Sequence, residues 1–219
     1  MMREKIVLQM KDSGIIPVYN HSDADTALHV MKSCRKAGLQ VFEFTNRGTH
    51  SAEVFAQLRE AARDWEGFYL GIGTIFTTAD AKQFYEMGAD FLVSPIWDED
   101  LASYTSQHDI TWIPGIGTVS EAYRAYKSGI GLIKAFPANV LGAEFIKAVR
   151  SVIPDLKIMP TGGVTTEESN LATWAKAGVH CVGMGSQLFA ADLIEGGKFE
   201  ELENKIYVAR ESLNRFRRF

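Results

Sequence analysis

Eight times along the chain, a short run rich in β-branched and aromatic residues gives way to a longer stretch with helical spacing. The β-like runs are Gly14–Tyr19, Gln40–Thr45, Tyr69–Gly73, Phe91–Ser94, Thr111–Pro114, Gly131–Ala135, Lys157–Pro160 and Cys181–Gly183. Amphipathic patterns lie between them, among them Asp23–Ala37, Ser51–Arg63, Ala79–Met87 and Val119–Lys127. A repeat of about 27 residues is the rhythm of βα units with parallel strands. An open dinucleotide-binding sheet would show G-x-G-x-x-G after its first strand. Here that strand ends Val18-Tyr19-Asn20-His21, and Gly71-x-Gly73 lacks a third glycine. Eight units close a ring, and 219 residues lies near the lower end of that fold's range. The expectation is therefore an α/β protein, a single (β/α)8 TIM barrel with a parallel eight-stranded closed barrel, occupying 1–219 without a linker.

Punctuation supports these boundaries. Gly38, Gly88, Gly129 and Gly178 follow predicted helices where a left-handed cap is wanted, and Ser22, Thr78 and Thr166 are expected N-caps. Residues 198–219 read as a final helix whose Arg215, Arg217 and Arg218 suit a helix C-terminus.

Composition excludes several function classes. The net charge of −4 gives no overall pull toward nucleic acid or an acidic membrane. No apolar run approaches the roughly 20 residues that span a bilayer, and the charged opening is no signal-peptide core. A cytoplasmic protein is expected. Cys34 and Cys181 form no C-x-x-C pair and read as buried thiols. The five histidines are scattered, with no H-x-x-x-H or H-x-E spacing, so no metal site is expected.

Barrel chemistry sits at the C-terminal ends of strands. There the most informative residue is Lys134, in the apolar run Ile130–Pro137. Alternation puts Leu132, Lys134 and Phe136 on one face. If that face is the interior, desolvation favours the neutral amine that attacks carbonyls. The bland alternative is a buried stem with its head in solvent. Glu43 shares a face with Val41 and Thr45, while Phe42 and Phe44 share the other. An inward carboxylate needs a partner, and Lys134 could be one, either as a structural ion pair or with Glu43 as general acid/base. Arg47 and Thr74 could hold a substrate carboxylate; alternatively Arg47 pairs on the surface with Glu53 or Asp80, and Thr74 caps a helix. Thr161-Gly162-Gly163 and Gly183-Met184-Gly185-Ser186 end the last two strands, where backbone N–H groups and a helix N-terminus often bind phosphate.

Taken in order, GLQVFEFTNR (38–47), GIGT (71–74), Ser94-Pro95, Pro114-Gly115, IKAFPA (133–138) and PTGGV (160–164) resemble the 2-keto-3-deoxy-6-phosphogluconate (KDPG) and 4-hydroxy-2-oxoglutarate (KHG) aldolases over nearly the full chain. The resemblance implies that Lys134 forms a Schiff base and Glu43 moves protons. It also implies that Arg47 and Thr74 hold the pyruvate carboxylate and that Pro95 and Phe136 line the pyruvyl pocket. Thr161, Gly162, Gly163, Gly185 and Ser186 would bind the distal end of the substrate. Two departures stand out. The family's Gly-Gly-Ser/Thr-Trp is replaced by Gly183-Met184-Gly185-Ser186-Gln187, and Ala135-Phe136 stands where two aromatics are common.

The expected activity is cleavage of KDPG to pyruvate and glyceraldehyde 3-phosphate, or of KHG to pyruvate and glyoxylate, without cofactor or metal. The resemblance further implies a homotrimer whose partners are a phosphorylated 2-keto acid and pyruvate, with neither nucleic acid nor membrane. The alternatives are an aldolase for the galactonate epimer, a phosphate-binding barrel of other chemistry, and a non-catalytic ligand-binding barrel.

Overall fold

The structure is a computed structural model that describes residues 2–217. In chain order its strands are β1 (Ile15–Tyr19), β2 (Val41–Thr45), β3 (Tyr69–Gly73), β4 (Leu92–Val93), β5 (Trp112–Ile113), β6 (Gly115–Ile116), β7 (Leu132–Ala135), β8 (Lys157–Pro160) and β9 (Val182–Met184). The helices are α1 (Met2–Ser13), α2 (Ala24–Lys36), α3 (Ser51–Ala61), α4 (Thr78–Glu86), α5 (Glu99–Gln107), α6 (Val119–Lys127), α7 (Ala138–Val152), α8 (Glu168–Lys176), α9 (Ala191–Glu195) and α10 (Phe199–Arg217).

Every strand ladder is parallel. The expected single closed sheet is instead divided. Six strands run in the order β5-β4-β3-β2-β1-β9, and three in the order β6-β7-β8. The division falls at Pro114, the last residue of the predicted fifth strand, which separates β5 from β6. Proline has no N–H to give a ladder, although its carbonyl still accepts from the Lys134 N–H at 2.8 Å. At the other seam a lone parallel bridge joins Thr161 to Gly183.

The two faces of the strands carry separate cores. Outward-facing Phe42, Phe44, Leu70, Ile72, Ile133 and Ile158 pack with the helices. Ile16, Val41, Phe91, Val93, Ile113, Leu132, Met159 and Cys181 form a second cluster on the opposite face of the strands. Full burial of an aromatic such as Phe42 contributes roughly 1.5–3 kcal/mol. Helix α1, which the sequence reading does not anticipate, adds Ile6, Val7 and Met10 to the inner cluster and seals the N-terminal end of the strands.

Helix starts differ from expectation by one residue. Asp23, not Ser22, caps α2, its carboxylate accepting from the Thr26 N–H at 2.8 Å. Thr77, not Thr78, caps α4 through the Asp80 N–H at 3.1 Å. Glu167, not Thr166, precedes α8 and makes no side-chain cap. In each functional cap an extended backbone lets the side-chain oxygen reach the N–H three residues on. The C-terminal helix forms through Arg217, while Arg218 lies outside the described residues. No helix among the described residues is long and apolar enough to cross a membrane.

Candidate active site

Directly above the inner apolar cluster, toward the strands' C-terminal ends, lie two buried charges. Lys134 on β7 keeps 5% of its exposure, and Glu43 on β2 keeps none. Their faces follow the alternation expected, with Val41 below Glu43 and Leu132 below Lys134 in the inner cluster. Lys134 Nζ stands 3.6 Å from Glu43 Oε1, longer than an N–H···O hydrogen bond. It is 5.4 Å from the centre of the Phe136 ring. Neither Glu43 oxygen has a hydrogen-bond partner among the described residues. Burial pushes the Glu43 carboxyl above its ordinary value, and the charges of Lys134 and Arg47 offset this only in part. A buried pair kept for stability would have its remaining lone pairs filled; this one leaves them open.

Glycines make room for the pair. A Cβ on Gly73 would run into the Glu43 carboxylate, and one on Gly71 into the Phe91 ring. One on Gly115 would meet the Pro95 backbone. The inward positions of β3 and β6 therefore exclude larger residues, and Pro95 is drawn close to β6 for the same reason.

Arg47 follows β2, and its Nε donates to the Thr74 hydroxyl at 3.3 Å. The surface alternative for Arg47 is not realised. Glu53 faces His50, and Asp80 is engaged with Thr77. Thr74 does not cap α4; it holds φ at 64°. A β-branched residue in the left-handed region stores about 1–3 kcal/mol of strain, and that backbone carries the hydroxyl that meets Arg47.

Above this level opens a cleft of about 420 Å³ lined by Asn20, Thr45, Arg47, Phe136, Thr161 and the two glycine-rich loops. Thr161 is buried, and its Oγ1 has no partner. Gly162 and Gly163 have φ of 96° and 75°, conformations in which a side chain is strained. The backbone N–H groups of Gly162, Gly163, Ser186 and Gln187 make no hydrogen bond to the described residues. Such converging free donors suit an anion. No helix starts beside Ser186. Residues 185–188 form a turn closed by the Leu188 N–H and the Gly185 carbonyl at 2.9 Å, and α9 begins only at Ala191.

A family model described as KDPG and KHG aldolase matches residues 6–205. The chain belongs to this aldolase family. It is 31% identical over 190 residues to the 2-dehydro-3-deoxy-phosphogluconate aldolase of Treponema pallidum, covering 86% of this chain and 88% of that relative. It is 28% identical over 201 residues to the KHG/KDPG aldolase of Escherichia coli, covering 91% and 90%. A solved KDPG aldolase from Legionella pneumophila, with pyruvate captured as a covalent carbinolamine, superposes with a TM-score of 0.84 at 26% identity, covering 94% of this chain and 97% of that one.

Within this aldolase-family chain, the residues singled out by strand position fall into two groups. Arg47, Phe136, Thr161, Gly162, Gly163, Gly185 and Ser186 line the cleft, and the Lys134–Glu43 pair stands one inward strand position below its lining residues Phe136 and Thr45. Thr74 reaches it through Arg47, whereas Pro95 does not line it and lies against Gly115. The sequence reading missed Asn20 and Gln187 as lining residues. Asn20 was open to detection, since it stands two residues past Val18 in the inward register of β1. Among the described residues no group of three His, Cys, Asp or Glu side chains is gathered as a metal site.

Proposed function

We propose that this chain is a metal-independent Schiff-base aldolase on a single (β/α)8 domain, in which the β5/β6 pair and the Thr161–Gly183 bridge complete one ring of eight strands. It cleaves KDPG to pyruvate and glyceraldehyde 3-phosphate, and KHG to pyruvate and glyoxylate. The observation that carries this reading is a buried Lys134 amine beside a carboxyl with open lone pairs, beneath a cleft lined with free N–H donors.

Lys134 Nζ adds to the C2 carbonyl of the keto acid, giving a carbinolamine that loses water to a cationic imine. The imine accepts the electron pair of the C3–C4 bond as the C4 hydroxyl gives up its proton, releasing an aldehyde and leaving an enamine. Protonation at C3 and hydrolysis return pyruvate and the free lysine. Glu43, whose raised carboxyl can hold a proton as well as accept one, serves these transfers. Arg47, with no carboxylate of its own, takes the C1 carboxylate. The iminium supplies the electron sink that a metal provides in metal-dependent aldol cleavage. A homotrimer in the cytoplasm completes the reading; exposed Phe76 and Ile96, just past the neighbouring strands β3 and β4, offer apolar surface for subunit contact.

Borohydride reduction in the presence of pyruvate tests the chemistry. A stable adduct should map to Lys134 by peptide mass analysis. No adduct, or one on another lysine, sinks the proposal.

A further inference from the structure

We infer that Asn20 is a specificity-determining residue of this cleft, whose carboxamide recognises a hydroxyl on the aldehyde-derived half of the substrate; this rests on the aldolase reading above. Asn20 is the first residue after β1, following Ile16 and Val18 on the inward face. Val18 lies opposite Glu43 and Tyr19 opposite Phe44, so Asn20 comes level with Thr45, two residues above the buried carboxyl. A strand rises about 3.3 Å per residue, which places the amide some 6–7 Å further toward the cleft mouth than Glu43. That is the level between the amine that would hold C2 and the glycine-loop donors that would hold the far end.

The amide is not free to turn. Its Nδ2 donates to the Thr45 carbonyl at 2.8 Å. That bond leaves Oδ1 as an acceptor without a partner among the described residues, on a half-buried side chain lining the cleft. An acceptor held this way satisfies a hydroxyl donor. It offers nothing to a carboxylate, which has only lone pairs to present. The hydroxylated sugar-acid phosphate and the dicarboxylate differ at that place. Both carry the C4 hydroxyl that cleavage needs; the first carries a further hydroxyl on C5, and in the second C5 is the carboxylate itself.

The test compares kcat/KM for three substrates: the phosphorylated sugar acid, its analogue lacking the C5 hydroxyl, and the dicarboxylate. Asn20→Leu removes the acceptor at similar volume, and Asn20→Ser keeps a donor for the Thr45 carbonyl. A neutral hydrogen bond of ordinary strength corresponds to about a tenfold effect. Both variants should lose about tenfold on the hydroxylated substrate and stay within twofold of the parent on the other two. Equal losses on all three substrates in Asn20→Leu, with Asn20→Ser close to the parent, would mean that Asn20 acts only by holding Thr45 and would overturn the proposal, as would an unchanged substrate ratio in both variants. Pyruvate labelling of the parent at Lys134 keeps the two readings apart. Labelling with an unchanged ratio defeats only the role of Asn20, whereas a parent that neither labels nor cleaves defeats the aldolase reading and this inference with it.

Discussion

Replacing Lys134 with methionine keeps much of the side-chain volume and removes the stronger of the two cationic influences on Glu43, leaving that of Arg47. At 3.6 Å and an effective dielectric near 20, the attraction being removed is about 4–5 kcal/mol. Measured losses on breaking buried pairs are about 3–5 kcal/mol. The loss should depend on pH. Folded Glu43 already holds its proton more tightly than the unfolded chain does. Its burial therefore costs little below about pH 4.5 and destabilises progressively as pH rises through the folded value. Without Lys134 the carboxyl moves further up, so the penalty widens toward neutral and alkaline pH. At roughly 2–4 °C per kcal/mol for a chain of this size, Lys134→Met should melt about 10 °C lower than the parent at pH 8. At pH 5, where the raised Glu43 carboxyl is closer to keeping its proton, the deficit should be smaller. Adding Glu43→Gln removes the stranded charge and should restore most of the pH 8 deficit. Thermal melts of the parent, single and double variants at both pH values decide the matter. A single variant as stable as the parent at pH 8, or a double variant no better than the single, would refute the electrostatic argument.

Two further outcomes follow from the site. Arg47→Ala removes a charge-assisted contact of about 1.5–3 kcal/mol, so KM for the keto acid should rise on the order of 10- to 100-fold, read by steady-state kinetics, with the melting temperature little changed at this exposed position. Gly73→Ala places a methyl group against the Glu43 carboxylate; it should cost about 1–3 kcal/mol of stability in a denaturant titration and abolish most cleavage, whereas Gly131→Ala, with open space around it, should cost less and leave kcat intact.

Lys134 and Glu43 were legible because strand alternation is a strong rule: a charge between two inward apolar residues has one place to go. The same rule would have placed Asn20, but only once β1 is aligned against β2, and register is a tertiary fact. Helix α1 escaped notice because Ile6, Val7 and Met10 are interleaved with Lys5, Gln9 and Lys11, and its burial depends on an open ring end that only the assembled strands create. The left-handed backbone of Thr74 was equally hidden, since a β-branched residue argues against such a conformation until its neighbours impose it. The cut at Pro114 was half visible. The proline marked the end of the expected fifth strand, but the short resumption at Gly115–Ile116 came from pairing with Lys134 and Ala135.

Ile6, Val7 and Met10 pack against the base of the inner cluster, and the cleft opens past the C-terminal ends of the strands. Under the proposed chemistry, water expelled as the imine forms must leave past the bound substrate, and the water that later frees the lysine must enter by the same route. The aldehyde occupies that route until it departs. It leaves first and pyruvate second, because pyruvate stays bound to Lys134 as the enamine until water reaches it through the space that the aldehyde has vacated.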